Sequence, residues 1–255
     1  MTESQPSPTP IALVTGASRG IGAATAVQLA RAGYAVIVNY HQNTAAAYEV
    51  RDRIAEFGGT AWAIQADVSK ESEVTALFEQ IDSLPGTLKV LVNNVGVLKQ
   101  QSRLADISVE RFTQVLNTNV LSCFLCCRAA VRRMSTRHGG QGGAIVNVSS
   151  GASKSGSPNE YVDYAASKGA IDSLTRGLAL EVADEGIRVN AVRPGLIYTE
   201  IHADGGEPGR VDRLAERIPM KRGGRPSEVA EAIVWLASDA SSFVTGSFID
   251  PSGGL

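Results

Sequence analysis

The sequence predicts an α/β fold, a single-domain doubly wound parallel sheet with helices on both faces. Three observations lead there. Strand-like and helix-like segments alternate along the 255 residues. The strand-like segments are apolar at nearly every position rather than every second one, the mark of strands buried on both faces. A glycine-rich turn over residues 15–22 joins the first strand to the first helix, as in the repeating βα units of doubly wound sheets.

In order, residues 11–15 read as a buried strand and 21–32 as a helix stopped by Gly33. Residues 34–39 form the second strand, and 45–57 a helix ending at Gly58 and Gly59. A third strand over 60–65 precedes a helix over 71–83, which Pro85 and Gly86 terminate. The fourth strand covers 90–93, and 108–137 is helical, in one run or two. Strands over 144–148 and 188–192 flank a helix over 161–181, and a helix over 227–237 precedes a short strand at 248–250. No composition shift marks a second domain, so 11–255 is expected to form one unit behind a polar, proline-rich tail at 1–10. Residues 196–220 break the regularity with Gly205-Gly206 and Pro208-Gly209, the composition of a binding loop or lid.

Composition narrows the function. Twenty-four basic against 26 acidic residues leave a net charge of −2, which favours neither nucleic acid nor an anionic membrane. No apolar run is long enough to span a bilayer. The N-terminus lacks the basic and apolar regions of a signal peptide, so a cytoplasmic protein is expected. Cys123, Cys126 and Cys127 cluster in an apolar helical segment. Without a second cysteine pair or a close histidine they read as small buried hydrophobes rather than metal ligands, and no metal is expected.

Two features carry chemistry. Tyr164 and Lys168 are four residues apart on a helix and share a face. An ammonium beside a phenol favours phenolate, which would let Tyr164 exchange a proton near neutral pH. Upstream, Gly16, Gly20 and Gly22 lie between a strand and a helix whose free N–H groups suit phosphate. Their G-x-x-x-G-x-G spacing departs from the common G-x-G-x-x-G dinucleotide pattern.

Together these residues resemble the short-chain dehydrogenases/reductases. Signatures match in order: Thr15-Gly-x-x-x-Gly20-Ile21-Gly22, Asp67-Val68, Asn93-Asn94-Val95-Gly96, Ser150 with Tyr164-x-x-x-Lys168, and Arg193-Pro194-Gly195. The resemblance spans about residue 11 to Gly254 and is closest to 3-oxoacyl-carrier-protein reductases, glucose-type dehydrogenases and general carbonyl reductases. One departure stands out: Val95 replaces the alanine usual in the fourth-strand motif. The resemblance implies a Rossmann fold and hydride transfer between a nicotinamide and a carbonyl or secondary alcohol. Tyr164 would be the general acid/base, Lys168 would lower its pKa and bind the nicotinamide ribose, Ser150 would hold the substrate oxygen, and Asn119 would hold a water leading from Lys168 to solvent. Ser149 is the alternative serine. The cofactor would lie along Gly16, Ser18, Arg19, Gly20, Ile21, Gly22, Asn39, Asp67, Val68, Asn94, Gly96, Pro194, Gly195, Ile197 and Thr199, besides Tyr164 and Lys168.

The end of the second strand, Val38-Asn39-Tyr40-His41, has no carboxylate to bind a ribose 2′-hydroxyl, and Arg19 suits a 2′-phosphate. NADP(H) is therefore favoured, with NAD(H) use open. Glu160, Asp163, His202, Asp204 and Arg210 near the substrate region point to a small polar carbonyl or sugar-like alcohol. An acyl-carrier-protein partner would want a basic patch near the cleft mouth; Arg132, Arg133 and Arg137 are basic residues at helical spacing, either such a patch or a solvated helix face. The resemblance further implies a homotetramer, with the helices over 108–137 and 161–181 packed across a two-fold axis and 248–255 in a second contact. A sugar dehydrogenase using NAD(P)+ and a non-catalytic NADP(H)-binding regulator are the alternatives.

Overall fold

The structure, a computed structural model, describes residues 9–255. The expected N-terminal tail thus lies mostly outside the described residues, and its last member, Pro10, already belongs to the first strand. Strands β1 (Pro10–Val14), β2 (Ala35–Tyr40), β3 (Ala61–Gln65), β4 (Thr87–Asn93), β5 (Gly143–Val148), β6 (Ile187–Val192) and β7 (Phe248–Ile249) form one parallel sheet of order β3-β2-β1-β4-β5-β6-β7. β4 starts three residues earlier than its apolar run, because Thr87 and Leu88 pair with Pro10 and Ile11 before a register shift.

Side-chain alternation along each strand feeds two cores. Ile11, Leu13, Ile37, Leu91 and Ile145 meet helices α3 (Glu71–Asp82), α5 (Ser122–Met134) and α7 (Val162–Val182) on one face. Ala12, Val14, Val36, Val38 and Val92 meet α1 (Gly20–Arg31), α2 (Thr44–Ala55) and α10 (Pro226–Ala237) on the other. The strands are apolar throughout because both of their faces are covered. The cysteines lie in the first core, free and buried.

The 108–137 region is not one regular helix. It divides into α4 (Val109–Leu116), a π-helical turn at Asn117–Leu121, α5, and a 3₁₀ turn at Thr136–His138. Between β5 and α7 lies the short α6 (Ala152–Ser155). Residues 196–220 carry two further short helices, α8 (Ile201–Asp204) and α9 (Arg210–Leu214). Among the described residues no helix is long and apolar enough to cross a membrane.

The chain runs from β1 outward to β3, then returns to place β4 on the other side of β1. The strand order reverses there, and a crevice opens at the carboxyl ends of β1 and β4, where ligands of such sheets bind.

Candidate active site

A cleft of about 1890 Å³ occupies this crevice. Its floor at β1 is the glycine turn. Gly16 and Gly20 have φ of 60° and 55°, the left-handed region in which glycine avoids a Cβ penalty. Gly22 lies beneath the turn rather than in the cleft wall: a Cβ there would sit 2.5 Å from Asn94 Nδ2 and 2.6 Å from the Gly16 carbonyl. Its role is close packing of α1 against the loop.

The turn is braced by side chains that the sequence placed at the cofactor. Asn94 Nδ2 donates to the carbonyls of Thr15 and Gly16, each at 3.0 Å. Asn39 is 1% exposed; its amide donates to the carbonyls of Ile64 and Ala66, and its oxygen accepts from Gly16 N–H. That side chain is fully engaged within the protein and is not free to meet a 2′-phosphate. Val95, the family departure, packs a methyl 3.0 Å from where a Gly16 Cβ would lie. Asp67 takes hydrogen bonds from the N–H and hydroxyl of Ser69, which hold its carboxyl below the usual range against the opposing effect of burial. Both Asp67 and the buried Val68 line the cleft, and His41, 3.8 Å from Asp67, joins them.

The first turn of α1 has no side-chain cap, as is also true of α3 and α7, whereas α2 is capped by Asn43 and α4 by Ser108. Its unbonded N–H groups border the cleft through Gly20 and Ile21. An uncapped helix N-terminus beside a glycine turn, in a cleft lined from the glycine turn to Tyr164 and Lys168, fits a nicotinamide cofactor.

Opposite, α7 delivers Tyr164 and Lys168 to the cleft, and the end of β5 delivers Ser150. The two serines separate as adjacent residues at a strand end must. Ser149 is 2% exposed, and its hydroxyl donates to Asp172 Oδ1 at 2.6 Å, while Asp172 also pairs with Arg193 at 2.9 Å. Ser150 faces the cleft, its Oγ accepting from Ala152 N–H.

Lys168 is 3% exposed. Its Nζ donates to the Val148 carbonyl at 2.8 Å and lies 5.6 Å from the centre of the Tyr164 ring. Burial pushes its pKa down to about 8, with Asp172 among the groups opposing the fall. The expectation that Lys168 draws the Tyr164 pKa down is not met. Burial raises the phenol above its ordinary value, and only the Ser150 hydroxyl pulls the other way. The ammonium is directed at a backbone carbonyl, so desolvation dominates at the phenol.

Gly96 closes the gap between these groups and the glycine turn. A Cβ on it would stand 3.3 Å from Lys168 Nζ and 3.8 Å from Asn119 Oδ1. Asn119 sits in the π turn, 1% exposed, outside the cleft wall. Its oxygen accepts from Val97 N–H at 2.7 Å, and its amide donates to the Val97 carbonyl and to Ser167 Oγ.

The third wall follows β6. Pro194, Gly195, Ile197 and Thr199 line the cleft, and Thr199 Cγ2 approaches within 3.3 Å of a Gly20 Cβ position. Several polar residues assigned to substrate have protein partners instead. Asp163 is buried against Arg111 at 2.7 Å, away from the cleft. Arg210 pairs with Glu160 and Glu207, and Arg19 with Asp204 at 2.6 Å. His202 Nε2 contacts the Ile197 carbonyl at 3.0 Å, while its Nδ1 is buried with no partner, and desolvation lowers its pKa. Leu98, Ile201 and Leu214 supply apolar lining at this end. Ser157 and Asn159, with φ of 43° and 62°, frame Pro158 at the cleft edge, a strained loop with no signal in the sequence beyond its Ser-Pro-Asn composition.

The arginines proposed for a carrier-protein patch lie elsewhere. α5 ends shortly before the start of β5, so Arg132 and Arg133 sit at the amino ends of the strands, opposite the cleft, as does Arg137 just beyond. Arg133 is paired with Asp82, and Arg137 with Asp184 and Glu185.

Comparison with known proteins agrees with this geometry. A short-chain dehydrogenase family model described as enoyl-(acyl carrier protein) reductase matches residues 16–255. The chain is 63% identical over 244 residues to an uncharacterized oxidoreductase, YgfF, of Escherichia coli (strain K12), covering 96% of this chain and 99% of the relative. It is 39% identical to glucose 1-dehydrogenase 2 of Bacillus subtilis (strain 168), covering 96% and 93%. The crystal structure of a short-chain type dehydrogenase/reductase from Mycobacterium marinum superposes with a TM-score of 0.90 at 36% identity, covering 97% of this chain and 95% of that one. A cleft of this form at the β1/β4 reversal, in a chain matched almost end to end by these sequences, makes the protein a member of the short-chain dehydrogenase/reductase family, an oxidoreductase acting on CH–OH and C=O groups.

Proposed function

We propose that the protein transfers hydride reversibly between NADP(H) and a small carbonyl compound or secondary alcohol, with Tyr164 as the proton carrier. The observation that supports this most is the convergence of Ser150, Tyr164 and Lys168 on one wall of the cleft, with Gly96 leaving room beside the lysine. The nicotinamide, when bound, supplies or accepts the hydride. Tyr164 gives its phenolic proton to the carbonyl oxygen in reduction and takes the hydroxyl proton in oxidation. Ser150 donates a hydrogen bond to the same oxygen and stabilises the charge developing there. Lys168 holds the nicotinamide ribose, and the uncapped turn of α1 holds the phosphates. Asn119 fixes the chain at Val97 beside Lys168, where an ordered water would connect the lysine to solvent. Arg19, at the mouth of the glycine turn, receives the 2′-phosphate of NADP(H).

Burial raises the phenol above its ordinary value, so at neutral pH Tyr164 carries the proton that carbonyl reduction needs, and its capacity to act as base in oxidation grows as pH rises. The partly apolar substrate end suits a small neutral carbonyl. A sugar dehydrogenase remains the second reading, favoured by the likeness to glucose 1-dehydrogenase 2.

The test follows NADPH oxidation against a carbonyl panel and NAD(P)+ reduction against sugars and alcohols, with wild type beside Tyr164→Phe. The expected result is loss of turnover by at least about a hundredfold with NADPH affinity unchanged. Turnover at the wild-type rate in the variant removes Tyr164 from the mechanism, and equal efficiency with NADH removes the preference for NADPH.

A further inference from the structure

Asp204 ends α8, and its Oδ2 lies 2.6 Å from Arg19 Nη2 across 185 residues of sequence. Both side chains are well exposed, 55% for Arg19 and 46% for Asp204, so the pair is a surface ion pair that a stronger anion can displace. The same segment brings a second carboxylate over the turn: Glu200 Oε2 lies 3.6 Å from a Gly20 Cβ position. Residues 200–204 thus present negative charge where the first turn of α1 offers N–H groups without a side-chain cap.

We propose that Asp204 is a specificity-determining residue, an internal competitor for the 2′-phosphate of the cofactor. The inference rests on the reading of Arg19 as the group that receives that phosphate. The pair engages the guanidinium through Nη2, so a 2′-phosphate that takes Nη2 displaces the carboxylate, and one that takes the other donors stands beside its negative charge. A cofactor bearing a 2′-phosphate thus meets the Asp204 carboxylate as a competitor for Arg19, whereas one bearing a 2′-hydroxyl leaves the pair in place. Asp204 therefore narrows the margin between NADPH and NADH that Arg19 alone would create. Breaking the pair also removes one tie on α8, which stays held through the Tyr161 hydroxyl donating to the Gly205 carbonyl and through His202 at Ile197.

The experiment is calorimetric titration of wild type, Asp204→Asn, Arg19→Gln and the double variant with 2′,5′-ADP, 5′-AMP, NADPH and NADH. Asp204→Asn is expected to tighten 2′,5′-ADP and NADPH by about two- to fivefold, the range of a surface pair, and to leave 5′-AMP and NADH unchanged. Arg19→Gln is expected to weaken 2′,5′-ADP about tenfold, and in its background the Asp204→Asn gain should vanish. If Arg19→Gln weakens 2′,5′-ADP while Asp204→Asn leaves it unchanged or weaker, the Asp204 proposal fails and the reading of Arg19 stands. If Arg19→Gln has no effect on 2′,5′-ADP, the reading of Arg19 fails and the proposal falls with it. An equal change in 5′-AMP affinity in Asp204→Asn would assign Asp204 a structural role and overturn the proposal.

Discussion

Replacing Lys168 by methionine should remove function and stabilise the ligand-free fold. The lysine is 3% exposed, and burial lowers its pKa from 10.5 to about 8. Each unit corresponds to about 1.4 kcal/mol, so holding the charged ammonium in the folded state costs about 3 kcal/mol at pH 7. Methionine has similar length and no charge, but it leaves the Val148 carbonyl without its 2.8 Å donor, a loss of about 1 kcal/mol. The balance is a gain of about 2 kcal/mol at pH 7, which for a chain of this size is about 4–8 °C in Tm. The pH dependence distinguishes this cause from generic packing. Between the folded pKa of about 8 and the unfolded 10.5, the unfolded wild type binds more protons than the folded one, so wild-type stability rises with pH across that window. The variant lacks that rise. Its advantage should shrink above pH 8 and reverse near pH 10.5, where only the lost hydrogen bond remains. Thermal unfolding of both proteins without cofactor, from pH 7 to 10.5, checks this. A variant less stable than wild type at pH 7, or a gap constant with pH, would refute the assignment of a desolvated ammonium to this site.

The two adjacent serines should separate cleanly. Ser150→Ala is expected to lose about a hundredfold or more in kcat with unchanged Tm, as for removal of a donor to a developing oxyanion, whereas Ser149→Ala leaves Asp172 short of a buried partner and should lower Tm with residual activity in proportion to folded protein. Gly22→Ala would drive a Cβ within 2.5 Å of Asn94 Nδ2, so unfolding free energy should drop by about 1–3 kcal/mol, with cofactor affinity falling as the turn shifts. Light scattering should give the mass of a tetramer, and a monomeric mass would remove the proposed two-fold packing of the α4–α5 and α7 helices.

Much of this architecture can be read in the chain because its causes are local. Buried parallel strands must be apolar throughout, and Gly33, Gly58 and Pro85 stop helices wherever they occur, so element order and approximate bounds follow. The spacing of Tyr164 and Lys168 places them on one face for the same reason. What the sequence conceals is set by distant partners. The π turn at Asn117–Leu121 coincides with an asparagine that takes both the N–H and the carbonyl of Val97, and no residue within the turn announces it. Asn39 stands where a strand end meets cofactor in many doubly wound folds, yet its amide is taken up by β3 and the glycine turn. The charge on Tyr164 depends on burial and on where the Lys168 ammonium points, and residue spacing reports neither.

The cleft is built from two kinds of wall, and the difference bears on how its selectivity can change. The floor near Ser150 rests on the buried Asp172, which accepts from the buried Ser149 and pairs with the largely covered Arg193. Removing one partner from such a buried charged group costs about 3–5 kcal/mol, a large share of the total stability of a domain. The rim over 196–220 is anchored by the buried Arg210, paired with Glu160 and Glu207, and is otherwise tied by partly exposed pairs such as Arg19–Asp204 and Arg213–Glu207, the exposed pairs each worth at most about 1 kcal/mol. Substitutions at the exposed rim pairs can therefore alter which substrate or cofactor enters while the fold tolerates them, whereas substitutions at Arg210 or beneath Ser150 lose the protein before they alter its chemistry. Exchange of residues 200–206, which leaves Arg210 and its carboxylate partners in place, for the equivalent stretch of a relative should accordingly move substrate preference with little change in Tm, and a large drop in Tm on that exchange would show that the rim is as integral to the fold as the floor.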